Sequence, residues 1–228
     1  MCSYKKAAIR MSSPQMLSMS TRQINTPPIE FVTNLKAGEH GCIFYTSQEE
    51  MQKIHFTFIK SGLEDNWGTF YATYADSLEG LRNAMQNHGI DVRKYEQDEG
   101  SLVLARGADL YKDPENPNLE NCKSVVKSLM EGFMAKGKKG VRIASDLANY
   151  FMPRALEMQW LELEHLFGRQ NSLLLTVLCS YDAFIVPQGK DLEIIFYNKK
   201  INQEWREFVD AHSFAIYVSK NSSIIFTI

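Results

Sequence analysis

From Gly41 onward the chain alternates between short apolar runs, rich in β-branched and aromatic residues, and longer stretches in which apolar residues recur every three or four positions. The first kind suits strands, the second helices with one buried stripe. Their alternation predicts βαβ units, and so an α/β fold with a mainly parallel sheet flanked by helices on both faces. The strands are read from "GCIFYT", "GTFYATYA", "SLVLAR", "GVRIASDL" and "SLLLTVLCSYD". The last is apolar along most of its length, as a strand buried on both faces should be.

Helix boundaries carry their own signals. Ser47 and Glu50 stand at capping-box spacing ahead of Met51, Ile54, His55, Phe58 and Ile59, which fall on one helical face. Asp76 or Ser77 caps the next helix, "LEGLRNAMQNHG", which Gly89 closes. "GADLYKDPENPN" reads as a long irregular loop, since it combines two prolines with turn formers. A helix runs from Leu119 to Lys136, and another, "RALEMQWLELEHLFGRQ", follows Pro153. There Leu156, Trp160, Leu163 and Phe167 form the core-facing stripe, and Glu164 with His165 reads as a solvated or capped pair. His55 and His88 have no evident partner. The tail reads as helical from Asp191 through Asp210, then as a hairpin of "FAIYVS" and "SIIFTI" around "KNSS". Its aromatics, Phe196, Tyr197, Trp205, Phe208, Phe214 and Tyr217, are read as core, with a partner surface as the alternative.

Residues 1–28 show no periodicity and end in the Pro27–Pro28 pair, so they read as a flexible lead-in to a single domain over 29–228. A chain of 228 residues can bury a sufficient core unaided. The formal net charge of -2, without blocks of like charge, offers no footprint for nucleic acid or an anionic membrane. No signal-peptide core or membrane span is legible, and the four scattered cysteines, Cys2, Cys42, Cys122 and Cys179, form no Cys-x-x-Cys pair. The expectation is a soluble, cytoplasmic protein with reduced thiols.

Phosphate chemistry is the first candidate that this topology raises. A P-loop places G-x-x-x-x-G-K-[ST] between a strand and a helix, so that backbone N–H groups and a lysine meet the phosphates. At that position the chain reads "YTSQEEM", with no glycine or lysine and with Glu49 and Glu50 facing the helix dipole. "GLEDNWGT" has the wrong spacing and runs from helix to strand. Nucleotide hydrolysis is therefore not expected. Asp146, at the end of the fourth strand, occupies the place of a magnesium-binding carboxylate but reads as a turn or cap residue without its phosphate loop.

The remaining chemistry gathers on two strands. His40 and Cys42 are two residues apart and share a strand face, as do Cys179 and Tyr181, with Asp182 next. Ligands of open α/β sheets collect beyond the carboxyl ends of strands, which puts Tyr45, Thr46, Asp146, Cys179, Tyr181 and Asp182 around one crevice. His40 falls at the opposite end of its strand. Several readings stay open: buried thiols as apolar filler, a metal site from His40, Cys42, Cys179 and His212 that lacks paired ligand spacing, a cysteine nucleophile with His40 as base but no orienting third group, or a non-catalytic ligand pocket.

"EHGCIFYTSQEEM", "FIKSGLEDNWGTFYAT", "VRIASDL" and "LLLTVLCSYDA" together resemble the MEDS family of methanogen and methylotroph sensory domains, over roughly Ile29 to His212. The His-x-Cys-x-x-Tyr pattern at His40, Cys42 and Tyr45 is the most specific element, and Cys179, Tyr181 and Asp182 match the family's later strand. The resemblance implies a RecA/KaiC-like fold that has lost its phosphate loop and senses small organic molecules such as hydrocarbon derivatives. It implies ligand contacts from His40, Cys42, Tyr45, Asp146, Cys179, Tyr181 and Asp182, with no catalytic residue, no metal and no cofactor. No DNA-binding or kinase module follows, so a separate protein partner, or a homo-oligomer, would carry the signal. The alternatives are a cysteine enzyme using Cys42 or Cys179, and a RecA-like assembly protein.

Overall fold

The apolar runs form one eight-stranded sheet, and a computed structural model describes it through residues 22–75, 77–111, 119–151, 157–168, 174–184 and 211–228. In chain order the strands are β1 (Arg22–Ile24), β2 (His40–Tyr45), β3 (Gly68–Thr73), β4 (Leu102–Arg106), β5 (Val141–Ser145), β6 (Leu175–Asp182), β7 (Phe214–Val218) and β8 (Ser223–Thr227). Their spatial order is β1-β8-β7-β2-β6-β5-β3-β4. All pairings from β7 to β4 are parallel, whereas β7–β8 and β1–β8 are antiparallel. The predicted α/β fold class holds, and so does the C-terminal hairpin. The sheet starts earlier than the proline pair suggests, because Arg22–Ile24 pairs with β8 and Pro28 opens a helix.

Helices α1 (Pro28–Thr33), α2 (Gln48–Glu64) and α3 (Leu78–Asn87) cover one face of the sheet. The other face is covered by α4 (Gly107–Tyr111), α5 (Leu119–Ala135), the single turn α6 (Ala148–Phe151) and α7 (Glu157–Phe167). Ser47 caps α2 by accepting from the Glu50 N–H at 3.4 Å, and Met51, Ile54, Phe58 and Ile59 bury the predicted stripe. Each such side chain stabilises the fold by about 1.5–3 kcal/mol. Ser77 caps α3, and Gly89 closes it with φ 75°.

Two local expectations change. "GADLY" opens the expected loop as helix α4, with Leu110 and Tyr111 in the core, because apolar burial outweighs the turn signals further along. A π-helical turn, Lys94–Asp98, starts within "IDVRKYE" and runs two residues past it. Residues 1–21, the rest of the expected loop at 112–118, the expected helix start after Pro153 and the expected helix at 191–210, with Phe196, Tyr197, Trp205 and Phe208, lie outside the described residues. Among the described residues, no helix is long and apolar enough to cross a membrane.

Alternation along β2 decides what faces where. Cys42 and Phe44 point to the α7 side together with Cys179 and Tyr181 of β6, while Ile43 and Tyr45 point to the α2 side. Cys42 lies in register with Cys179, so the two cysteines are direct neighbours across the parallel pair.

Candidate functional site

The expected crevice at the carboxyl end of the strands divides in two. Tyr45, Asp146 and Asp182 gather there, but Cys179 and Tyr181 turn to the opposite face with Cys42, and His40 lies at the amino end of β2.

At the carboxyl end the side chains bind one another and the fold's own backbone. The Tyr45 hydroxyl accepts from Asn149 Nδ2 at 3.1 Å, and Asn149 Oδ1 accepts from the Asp182 N–H at 2.8 Å. Asp146 accepts from the Tyr74 N–H at 2.8 Å and from Thr73 Oγ1 at 3.1 Å. It therefore ties the end of β5 to the end of β3 rather than capping the following turn. Burial pushes its carboxyl up to about 7. Burial, then the nearby Asp182, also raises the Tyr45 phenol, which stays neutral.

The second group is a polar cluster inside the protein, between the sheet and α7. Its centre is Glu164, which is fully buried. The solvated Glu164–His165 pair expected from sequence is corrected here: His165 is exposed, while the carboxylate turns inward to His40 and His212. Glu164 Oε2 lies 2.9 Å from His40 Nε2 and 3.4 Å from His212 Nε2. The Tyr181 hydroxyl donates to Oε1, and its own oxygen accepts from Trp160 Nε1 at 3.0 Å. Burial works against the Glu164 charge, but the His212 and His40 imidazoles more than offset this and hold the carboxyl below its usual range.

His40 is fixed by its other nitrogen. Nδ1 lies 3.0 Å from the Ala211 carbonyl, an acceptor only, so Nδ1 carries the proton. The segment around Ala211 is in turn held to β2 by the Ser213 N–H donating to the His40 carbonyl at 2.6 Å. Burial, and next His212, push the His40 imidazole below its ordinary value.

Cys42 and Cys179 differ in their directions. The Cys42 thiol donates toward the Phe214 carbonyl at 3.7 Å, whereas Cys179 Sγ joins His40 and Glu164 in a group whose ligand atoms all lie within 4.8 Å of one another. Burial, then the Glu164 charge, pushes both thiols well up, the reverse of what a nucleophilic thiolate needs. Beside Cys179 lies an apolar cavity of about 20 Å3, bordered also by Tyr111, Cys122 and Trp160. That is room for one water-sized or methyl-sized group.

Glu164 and Asn149 are the residues that sequence reading missed. The signal for Glu164 was present: Trp160, Leu163, Glu164 and Phe167 follow i, i+3, i+4, i+7, so the glutamate sits inside the apolar stripe. Nothing in the sequence marks Asn149. His55, read as having no partner, is buried with Nδ1 3.0 Å from the Tyr71 hydroxyl.

With this geometry in place, comparisons give the wider context. A KaiC-like protein from the hyperthermophilic archaeon Pyrococcus horikoshii OT3 is similar in fold, with a TM-score of 0.53 at 16% identity over 82% of this chain and 76% of that one. At that identity the likeness concerns the fold alone. Comparison with curated proteins returns no match. The family model described as "MEthanogen/methylotroph, DcmR Sensory domain" matches residues 39–195, more than half of the chain and all of the site except the Ala211–Ser213 segment. The chain therefore belongs to the MEDS family of sensory domains.

Proposed function

We propose that the chain is a non-hydrolytic sensory domain that takes up a small organic molecule on the α7 side of the sheet, next to Cys179. The observation that carries this reading is the juxtaposition of the apolar cavity with the buried Glu164 cluster. The cavity would accept a methyl-sized apolar group, and the cluster supplies the few polar atoms that orient a ligand. Both include residues of α7 and β6, and the cavity also residues of β3, β5, α4 and α5, so an occupant that enlarges the space presses the covering helices away from the sheet. Occupancy then shifts a conformational equilibrium that a partner protein or a second copy reads.

Two features support a reading without nucleotide turnover. Glu49 and Glu50 occupy the first turn of α2, and Asp146 is engaged with Tyr74 and Thr73.

Thermal denaturation tests the proposal with halomethanes, one- and two-carbon alcohols and thiols, and Mg-ATP as separate probes. A ligand of the folded form at a hundred times its Kd adds about 2.7 kcal/mol, or about 5–10 °C in midpoint for a domain of this size. At least one small organic probe is expected to raise the midpoint while Mg-ATP leaves it unchanged. A rise with Mg-ATP and none with the organic probes overturns the reading.

A further inference from the structure

We infer that His40 Nε2, a Glu164 carboxylate oxygen and Cys179 Sγ form a binding site for a zinc-class divalent transition metal, with the His212 imidazole beside it. This rests on the geometry of the cluster and not on the sensory reading.

The argument begins with the His40 proton. Because Nδ1 donates to the Ala211 carbonyl, the neutral ring presents the lone pair of Nε2 to Glu164 Oε2 at 2.9 Å. At that separation a cation must lie between the lone pair and the carboxylate oxygen, either a proton, which makes the ring an imidazolium, or a metal ion. Neither atom is aligned for a hydrogen bond among the described residues. A bridging proton would satisfy two heavy atoms in line. Here three donors converge, with the sulfur of Cys179 as the third and all three within 4.8 Å of one another. Convergence of nitrogen, oxygen and sulfur suits a borderline metal such as zinc.

Charge and support agree with this assignment. A divalent ion with one carboxylate and one thiolate makes a neutral group, which suits a site where His40, Glu164 and Cys179 are all buried. The Cys179 thiol releases its proton to solvent as the metal binds. Two of the three ligands are also held from behind: His40 by the Ala211 carbonyl, and Glu164 by the Tyr181 hydroxyl that Trp160 supports. Cys42 is outside the set, since its thiol is directed to the Phe214 carbonyl.

Because the site is buried, metal is loaded as the chain folds, so the full chain is produced in minimal medium supplemented with zinc or with cobalt, and purified under reducing conditions. Metal analysis should find close to one zinc per chain after dialysis. The cobalt form should show a thiolate-to-cobalt charge-transfer band that Cys179→Ser removes and Cys42→Ser retains. Tyr181→Phe, which frees the Glu164 carboxylate on one side, should weaken metal affinity about 10–100-fold in chelator competition. Wild-type protein free of metal from both media overturns the site, as does a cobalt spectrum without a thiolate band. The wild-type spectrum decides the matter even where Cys179→Ser does not fold. Loss of metal with intact midpoint shifts by organic probes would sink this inference and leave the sensory proposal standing.

Discussion

Replacing Asp146 with asparagine isolates one buried ionisation. Asp146 is 7% exposed and its neutral form is favoured up to about pH 7, against 3.8 for the free side chain. Its folded pKa lies above its unfolded one, so the folded state holds more protons between those values. The stabilising contribution is complete below about pH 4 and is lost as pH rises through about 7. The full difference of about three units corresponds to roughly 4 kcal/mol, of which about 2.5 kcal/mol falls between pH 5 and 8. Asparagine keeps an acceptor for the Tyr74 N–H and can donate to Thr73 Oγ1, but it does not titrate. Urea unfolding of both proteins from pH 5 to 8 should therefore show Asp146→Asn gaining on wild type by about 2.5 kcal/mol across the range. The difference between the two curves is the quantity to read, because other groups cancel in it. His55, for example, is pushed down to about 3 by burial and acts in the opposite direction, contributing stability above pH 6.5 that is lost in acid. A difference that stays flat with pH, or that favours wild type as pH rises, refutes the assignment of a neutral Asp146.

Two further substitutions probe packing and pairing. At Gly41 an added Cβ would lie 2.0 Å from Phe214 Cζ, and that ring already meets Phe31 edge-on at 4.9 Å. Gly41→Ala should cost about 1–3 kcal/mol or more by chemical denaturation, and a change below about 0.5 kcal/mol would show that Phe214 yields freely. Tyr71→Phe removes the hydroxyl 3.0 Å from buried His55 Nδ1 and should cost about 1–3 kcal/mol. An unchanged midpoint would mean that the pair contributes nothing.

The sheet was legible because each strand announces itself by local composition, and parallel pairing follows from the helices between strands. Leu175 to Tyr181 are buried throughout, as the apolar run "SLLLTVLCSYD" implies, and Ser47 caps the helix it was assigned to. The position of β1 was not legible, since its pairing with β8 joins residues some two hundred apart and three residues carry no periodicity. For the site, the two-residue spacing of His40 and Cys42 gave their common strand, but not the division of functions between them. Cys42 bonds to a neighbouring carbonyl and Cys179 joins the cluster because of what lies opposite each, a property of the helix and the C-terminal segment. Glu164 shows the cost of judging a residue by type: a glutamate inside an apolar stripe was assigned to solvent, although its spacing placed it indoors. Asp146 read as a turn or cap residue, but its actual partners, Thr73 and Tyr74, lie at the end of a different strand.

The placement of β2 also sets an order of events in folding. It is the first strand of the parallel core, yet both of its neighbours, β6 and β7, come from the final third of the chain. During synthesis its two edges stay unpaired until nearly all of the domain has emerged, while β3, β4 and β5 can already associate. Such distant closures slow folding and leave apolar strand edges open to intermolecular pairing in the meantime. The C-terminal hairpin is thus the closing element of the sheet, and a chain cut where the family match ends, at residue 195, would expose one side of its central strand.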